Sequence, residues 1–296
     1  MRWIQALQRK LRQVVALEAR LQRVQEALGR IERRQLLARP PGGWRGHEFR
    51  VFSQWGEDGL IQHLVHEVPV ARRVFVEFGV EDYREANTRF LLVNDGWSGL
   101  VMDGSEENVR RIRQDPLFWQ HNLKATQAFV TRENIDALLA DQGLSGDIGL
   151  LSIDIDGVDY WVWEAITAVS PAIVVIEYNA RFGAERAVSV PYDAGFVRSK
   201  AHHSMIYYGA SLRALCLLGK RKGYALVGCN SAGNNAFFVR RDLLPASLPE
   251  REPAQAFVAA GFREARDERG ALAFLDAAQE AAILRDLPVV EVDKAR

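Results

Sequence analysis

Two short runs in the middle of the chain are apolar at nearly every position and end in acids. Gly149 to Ile155 carries Asp154 and runs on to Asp156, and Ala172 to Ile176 leads into Glu177, Tyr178 and Asn179. Runs that do not alternate read as strands covered on both faces, which implies a parallel sheet with helices on either side. Between them, Val158 to Val169 has the length and apolar content of a crossover helix, with Pro171 just before the second strand, so the stretch is a β-α-β unit. In open α/β sheets the ligand site lies beyond the carboxyl ends of the strands. Asp154, Asp156, Asp159, Glu177 and Asn179 are therefore expected on one rim. Carboxylates so gathered repel one another, and a hard divalent cation such as Mg2+ would relieve them.

The rest of the pattern surrounds this unit. Ile4, Leu7, Leu11, Val14, Leu17, Leu21, Val24, Leu28 and Ile31 recur at gaps of three and four, with one extra three at Val14 to Leu17. That is coiled-coil spacing with a stammer, so a homo-oligomer through this helix is expected. An interfacial helix lying on a membrane is the competing reading. Pro40, Pro41, Gly42 and Gly43 break the helix. In the following FSQWGEDGLIQHLV, Ser53 suits a helix cap and Glu57 and Asp58 suit a helix start, which leaves Gln54 and Trp55 without a structural explanation. Strands are expected at Arg73 to Phe78, Gly99 to Met102, Tyr224 to Cys229 and Asn235 to Arg240, the last two joined by a Gly/Asn turn that accounts for Asn230, Asn234 and Asn235. Beyond Pro245, Phe262 to Arg266 and Ala271 to Leu275 are expected to form a hairpin. A helix through Ala282 and a strand at Val289 to Val292 follow.

Composition narrows the class. With 296 residues, 48% hydrophobic and 26% charged, the chain has the makeup of a soluble globular protein. No run is long and apolar enough for a membrane span or a signal peptide, so a cytoplasmic location is expected. Two cysteines, Cys216 and Cys229, give neither a disulfide framework nor zinc spacing. The net charge is zero, yet residues 1 to 39 hold ten Lys/Arg against three Glu, so a basic arm of +7 precedes a body of −7. Such an arm suits peripheral contact with the inner face of a membrane. No nucleic-acid partner is expected.

The first strand ends in Glu77, Phe78 and Gly79, and the next, 26 residues beyond Glu77, in Asp103, Gly104 and Ser105. A glycine turn followed by a second strand-end acid fits a nucleoside-binding α/β unit, and the absence of GxGxxG argues against a dinucleotide. Taken in order, FSQWGEDGLI, FVEFGVED, VMDGSEENV, LLSIDIDGVDYWVWEAI and IVVIEYN resemble the FkbM-type S-adenosylmethionine-dependent methyltransferases over Phe52 to Leu244, with features of the macrocin-type sugar O-methyltransferases. This chain has Asp156-Gly157 where the first family has Glu-Gly, and Glu177-Tyr178-Asn179 where the second has paired aspartates.

The resemblance implies an α/β, doubly wound class I methyltransferase (Rossmann-like) sheet. Around it lie an N-terminal coiled-coil helix (1–39), a linker (40–47), a methyltransferase domain (48–245) and a small C-terminal α+β appendage (246–296). It implies S-adenosyl-L-methionine as cofactor, with Glu77 and Gly79 beside its methionine end, Asp103, Gly104 and Ser105 at its ribose, and Thr126, Gln127 and Ala128 at its adenine. Gln54 and Asp154 join the cofactor site. Asp154, Asp156 and Glu177 would hold Mg2+ or another divalent cation. The expected reaction is methylation of a hydroxyl on a sugar or glycan acceptor. The long insertion after Asn179 supplies His202 and His203 as bases or metal ligands. Tyr160, Asn179, Tyr207, Tyr208 and Asn234 are the residues expected to face substrate. The alternative reads Asp154-Ile155-Asp156 as the DxD of a metal-dependent glycosyltransferase, which leaves Glu77 and Asp103 idle. A third reading, a coiled-coil scaffold, leaves the acids without a purpose.

Overall fold

The computed structural model of the chain describes residues 2–40 and 42–293. Pro41, expected in the linker, lies outside them, as do the side chains of Ile4, Leu7, Leu11 and Val14. Helix α1 (Arg2–Ala38) precedes α2 (Glu57–Glu67), β1 (Val74–Phe78), α3 (Arg89–Asp95), β2 (Ser98–Asp103), α4 (Glu106–Gln114), α5 (Pro116–Gln120) and β3 (Leu123–Gln127). Then come α6 (Ile135–Asp141), β4 (Gly146–Ile153), α7 (Asp159–Ala165), β5 (Val169–Glu177), β6 (Val188–Ser189), α8 (Arg198–Ala201) and α9 (Leu212–Arg221). The hairpin β7 (Tyr224–Cys229) and β8 (Asn235–Arg240) is followed by α10 (Pro253–Ala256), α11 (Ala277–Arg285) and β9 (Val290–Glu291).

Among the described residues, seven strands form one sheet in the order β3-β2-β1-β4-β5-β8-β7. All pairings are parallel except those of β8, which runs antiparallel to β5 and β7. This is the class I methyltransferase arrangement that the sequence led us to expect. The non-alternating strands serve both faces: Val76, Leu151 and Val174 pack with α6, α7 and α9, while Phe75, Leu150 and Ile173 pack toward α2 and α3. The order reverses between β1 and β4, and the switch point opens at the exits of β1, β2, β4 and β5.

Three expectations change. Pro171 lies inside β5, pairing in register with Ile148 of β4. It is tolerated because β8 pairs with β5 only from Ile173 onward, so the other side of Pro171 has no ladder to break. Ser53 is not the residue that precedes α2: that helix starts after Gly56, whose φ is 119°. Instead the buried Asp58 carboxylate accepts from the amides of Val51, Phe52 and Ser53 at 2.8, 2.7 and 2.8 Å, and Ser53 Oγ accepts from the amide of Asp58. The expected 262–275 hairpin is reduced to a single bridge between Arg266 and Leu272.

The C-terminal segment is woven into the insertion that follows β5. Strand β9 pairs with β6, and Ala265 and Leu284 share an apolar cluster with Val188, Val190, Ile206 and Tyr207.

Candidate active site

The acidic rim is made by the exits of β4 and β5, where Ile153 and Ile176 lie side by side in register. Beyond β4 the chain turns at once. Asp156 adopts a left-handed backbone with φ 55°, and the buried Asp159 carboxylate accepts from the amides of Ile155 (2.8 Å) and Gly157 (3.0 Å). These bonds fix where Asp154 and Asp156 point. One carboxylate oxygen from each of Asp154, Asp156 and Glu177 lies within 4.8 Å of the other two. Glu177 is buried, and its Oε2 has no hydrogen-bond partner among the described residues.

Such crowding disfavours ionisation. Burial, then the charges of Asp156, Asp159 and Glu77, push the Asp154 carboxyl well above the usual carboxylate range. Burial and the charges of Asp154, Asp156 and Asp159 do the same to Glu177. Asp159, buried beneath them, is raised to about 6 despite its backbone bonds.

The cation among these acids is Arg198 of α8, which the sequence reading passed over. Its Nη1 meets Asp156 Oδ1 at 2.5 Å, its Nη2 meets Glu264 at 2.5 Å, and its guanidinium carbon lies 3.8 Å from the Tyr208 ring centre. Burial opposes its charge, but Tyr208, Asp156, Glu264 and Glu177 outweigh that and raise its pKa. Glu264 pairs in turn with the buried Arg181 at 2.9 Å, and Arg181 with Glu280 at 3.1 Å. Arg181 lies over Phe262, and Phe262 stacks on Trp55 at 5.6 Å and 17°. The C-terminal segment thus roofs the rim, and Trp55 gains the explanation the sequence did not offer.

The exits of β1, β2 and β3 form the other half of the switch point. Gly79 has φ 73°, and a Cβ there would lie 1.6 Å from the Asp154 carbonyl oxygen, so the close approach of β1 and β4 requires glycine. The Asp103 carboxylate accepts from the amides of Glu81 and Ser105 (both 2.8 Å) and from Asn108 Nδ2 (3.0 Å). Ser105 caps α4. Gln127 Nε2 donates to the Gly104 carbonyl, the Ala128 amide donates to that of Asp103, and Thr126 pairs with Met102, so the exits of β2 and β3 lie side by side. Phe129, one residue further on, was missed. It is half exposed, and a Cβ on Gly104 would sit 3.4 Å from its ring. A large apolar side chain just past a strand end was the available signal.

Several expected site residues have other work. Glu77 is buried and turned inward, accepting from the amides of Asn87 (2.9 Å) and Thr88 (3.1 Å) and from Thr88 Oγ1 (2.5 Å). It braces the turn into α3. Gln54 is exposed. Tyr160 is a core residue whose hydroxyl accepts from Arg221. Asn179 is fully buried, and its Nδ2 donates to the carbonyls of Ile206 and Tyr208, pinning the insertion to the end of β5. Tyr207 donates to the Pro288 carbonyl. Asn234 accepts from Asn230 within the β7–β8 turn.

His202 bonds through Nδ1 to Ser204 Oγ at 2.6 Å and faces the His203 ring at 4.2 Å. Burial and then His203 lower its pKa. Among the described residues neither histidine bonds to the three acids. Of the five residues expected at substrate, Tyr208 alone meets the charged groups of the rim, through Arg198 and a 3.3 Å bond to Glu264.

No family model and no curated protein matches the chain. Among solved structures it is similar to the N-terminal domain of EvdMO1 in the presence of SAH and D-fucose, at 15% identity over 71% of this chain and 94% of that one, TM-score 0.40. It is similar to an O-methyltransferase family protein from Burkholderia thailandensis, at 11% identity over 70% and 59%, TM-score 0.38. A third is an S-adenosylmethionine-dependent methyltransferase from Clostridium acetobutylicum, at 9% identity over 69% and 94%, TM-score 0.40. Overlap this slight leaves the chemistry to the side chains.

Proposed function

We propose that this chain is an S-adenosylmethionine-dependent O-methyltransferase acting on a hydroxyl of a sugar or glycan, with a divalent cation at Asp154, Asp156 and Glu177. The observation that carries the proposal is the convergence of these three carboxylates, one with a buried unpartnered oxygen, at the switch point of a class I methyltransferase sheet. Three hard oxygen donors fit Mg2+ or Mn2+, and such an ion would lower the pKa of a bound hydroxyl. S-Adenosylmethionine supplies an electrophilic methyl group on a sulfonium. Its nucleoside would lie along Asp103, Gly104 and Gln127, with Phe129 as an aromatic face for adenine.

The chain's own residues then have definite tasks. Asp154, between the two halves of the switch point, would take the acceptor's proton as its oxygen bonds to the methyl carbon and the carbon–sulfur bond breaks. Arg198 and Tyr208 hold the acceptor side of the rim against the insertion. The C-terminal segment covers them through Glu264 and Phe262. Trp55, 39% exposed beside Phe262, offers the aromatic surface on which a sugar ring stacks.

Calorimetry tests the reading. S-Adenosylmethionine is expected to bind at micromolar concentrations and UDP-glucose with Mg2+ not to bind. Asp154→Asn is expected to abolish methyl transfer while leaving cofactor affinity within a few-fold. Metal-dependent binding of UDP-glucose alone would favour the DxD alternative. Loss of cofactor binding in Asp154→Asn would mean that the two halves of the site are wrongly assigned.

A further inference from the structure

Helix α1 is docked on the body by the face that an amphipathic helix normally turns to solvent. Gln22, Glu26, Gly29, Arg33 and Leu36 are buried or half-buried, and a Cβ on Gly29 would meet Val51 at 2.3 Å. Arg33 reaches Asp95 at 4.0 Å. On the opposite side Leu17, Leu21, Val24, Leu28 and Ile31 remain 49–57% exposed, spaced four, three, four and three. In heptad terms Leu21 and Leu28 are a positions, and Leu17, Val24 and Ile31 are d positions. The docked residues are then b (Gln22, Gly29, Leu36) and f (Glu26, Arg33), the positions that face outward from a coiled coil. The body therefore occupies the back of the helix and leaves its seam open.

We propose that this seam packs against the same seam of further copies of the chain, in a parallel bundle with the globular bodies on the outside. Charge selects the occupant and its direction. The e positions beside the seam hold Gln25 and Glu32, and the g positions hold Arg20, Ala27 and Arg34. In a parallel bundle e lies beside g of the next helix, so acid meets base. In an antiparallel one e meets e and g meets g, so like charges face each other. A membrane-surface helix calls for basic residues on both flanks of the apolar stripe, and the e flank has none. Leucine at a with β-branched Val24 and Ile31 at two of the three d positions favours three or four strands over two.

Light scattering combined with gel filtration on the full chain tests this. The wild type is expected at three or four times 33.3 kDa, and Leu21→Glu/Leu28→Glu at the monomer mass with an unchanged circular dichroism spectrum. Ile31→Cys is expected to form a 31–31 disulfide between copies under mild oxidation, identified by peptide mass spectrometry. A wild-type monomer at tens of micromolar would overturn the proposal, and failure of the 31–31 link in an oligomer would overturn the parallel direction. Sedimentation of a monomeric wild type with phosphatidylserine vesicles, lost in the double variant, would assign the seam to lipid instead.

Discussion

Glu177 shows how one side chain carries both a cost and a function. Its carboxyl is pushed up by burial and by three neighbouring acids. Protonated carboxyl therefore favours the fold: that contribution is complete below the ordinary carboxylate pKa and is lost as pH rises through the raised value. At neutral pH without metal the carboxyl ionises freely only in the unfolded chain, which disfavours the fold, so Glu177→Gln is expected to raise the melting midpoint by a few degrees at pH 7.5, with the gain vanishing near pH 4. Millimolar Mg2+ or Mn2+ is expected to raise the wild-type midpoint and leave that of Glu177→Gln unchanged. Scanning fluorimetry across pH and metal concentration checks both, and equal midpoints for the two proteins throughout would contradict the burial argument. The acid identities were legible because they end apolar runs. The roles of Glu77, Asn179, His202 and His203 were not, because a polar residue at a strand end reads the same whether it faces a ligand or a neighbouring amide.

At the level of elements, the FSQWGEDG segment is a structural knot. Asp58 gathers three amides, while Glu57 accepts from the Trp55 amide and from the side chains of Asn230 (2.7 Å) and Asn235 (2.9 Å) in the β7–β8 hairpin. Gly59 completes it, because a Cβ there would lie 2.0 Å from the His47 carbonyl oxygen. Asp58→Ala leaves three amides without their common acceptor and is expected to cost about 2–4 kcal/mol, measured by urea unfolding. A loss below about 0.5 kcal/mol would show that the three amides find other acceptors. The motif was visible in the sequence, but its reason was not, since its partners lie some 175 residues away. The hairpin strands β7 and β8 were legible to the residue, because two apolar runs joined by a Gly/Asn turn are a local signal.

Across the whole molecule, the rim is closed by residues from opposite parts of the chain. Arg198 joins Asp156 to Glu264, and Arg181 joins Glu264 to Glu280, so the acids, the insertion and the C-terminal segment form one charged network. Arg198→Met retains bulk beside Tyr208 and removes both ion pairs. It is expected to expose the 246–276 segment to limited trypsin digestion at least several-fold faster than in the wild type, while β1 to β5 stay intact. Unchanged digestion would show that apolar contacts such as Trp55 on Phe262 hold the roof alone. No helix of the described residues is long and apolar enough to cross a membrane.

Apolar runs, turn residues and heptad spacing by themselves determined the parallel sheet, its terminal hairpin, the long first helix and the acids at the strand ends. These follow from hydrogen bonding and burial over a few neighbouring residues, and the chain states them locally. Only the tertiary structure decided which acids converge, that an arginine rather than a histidine stands among them, and which face of α1 the body covers. Those outcomes depend on contacts between segments distant in sequence, where register and packing bring together groups that nothing in the linear order makes neighbours.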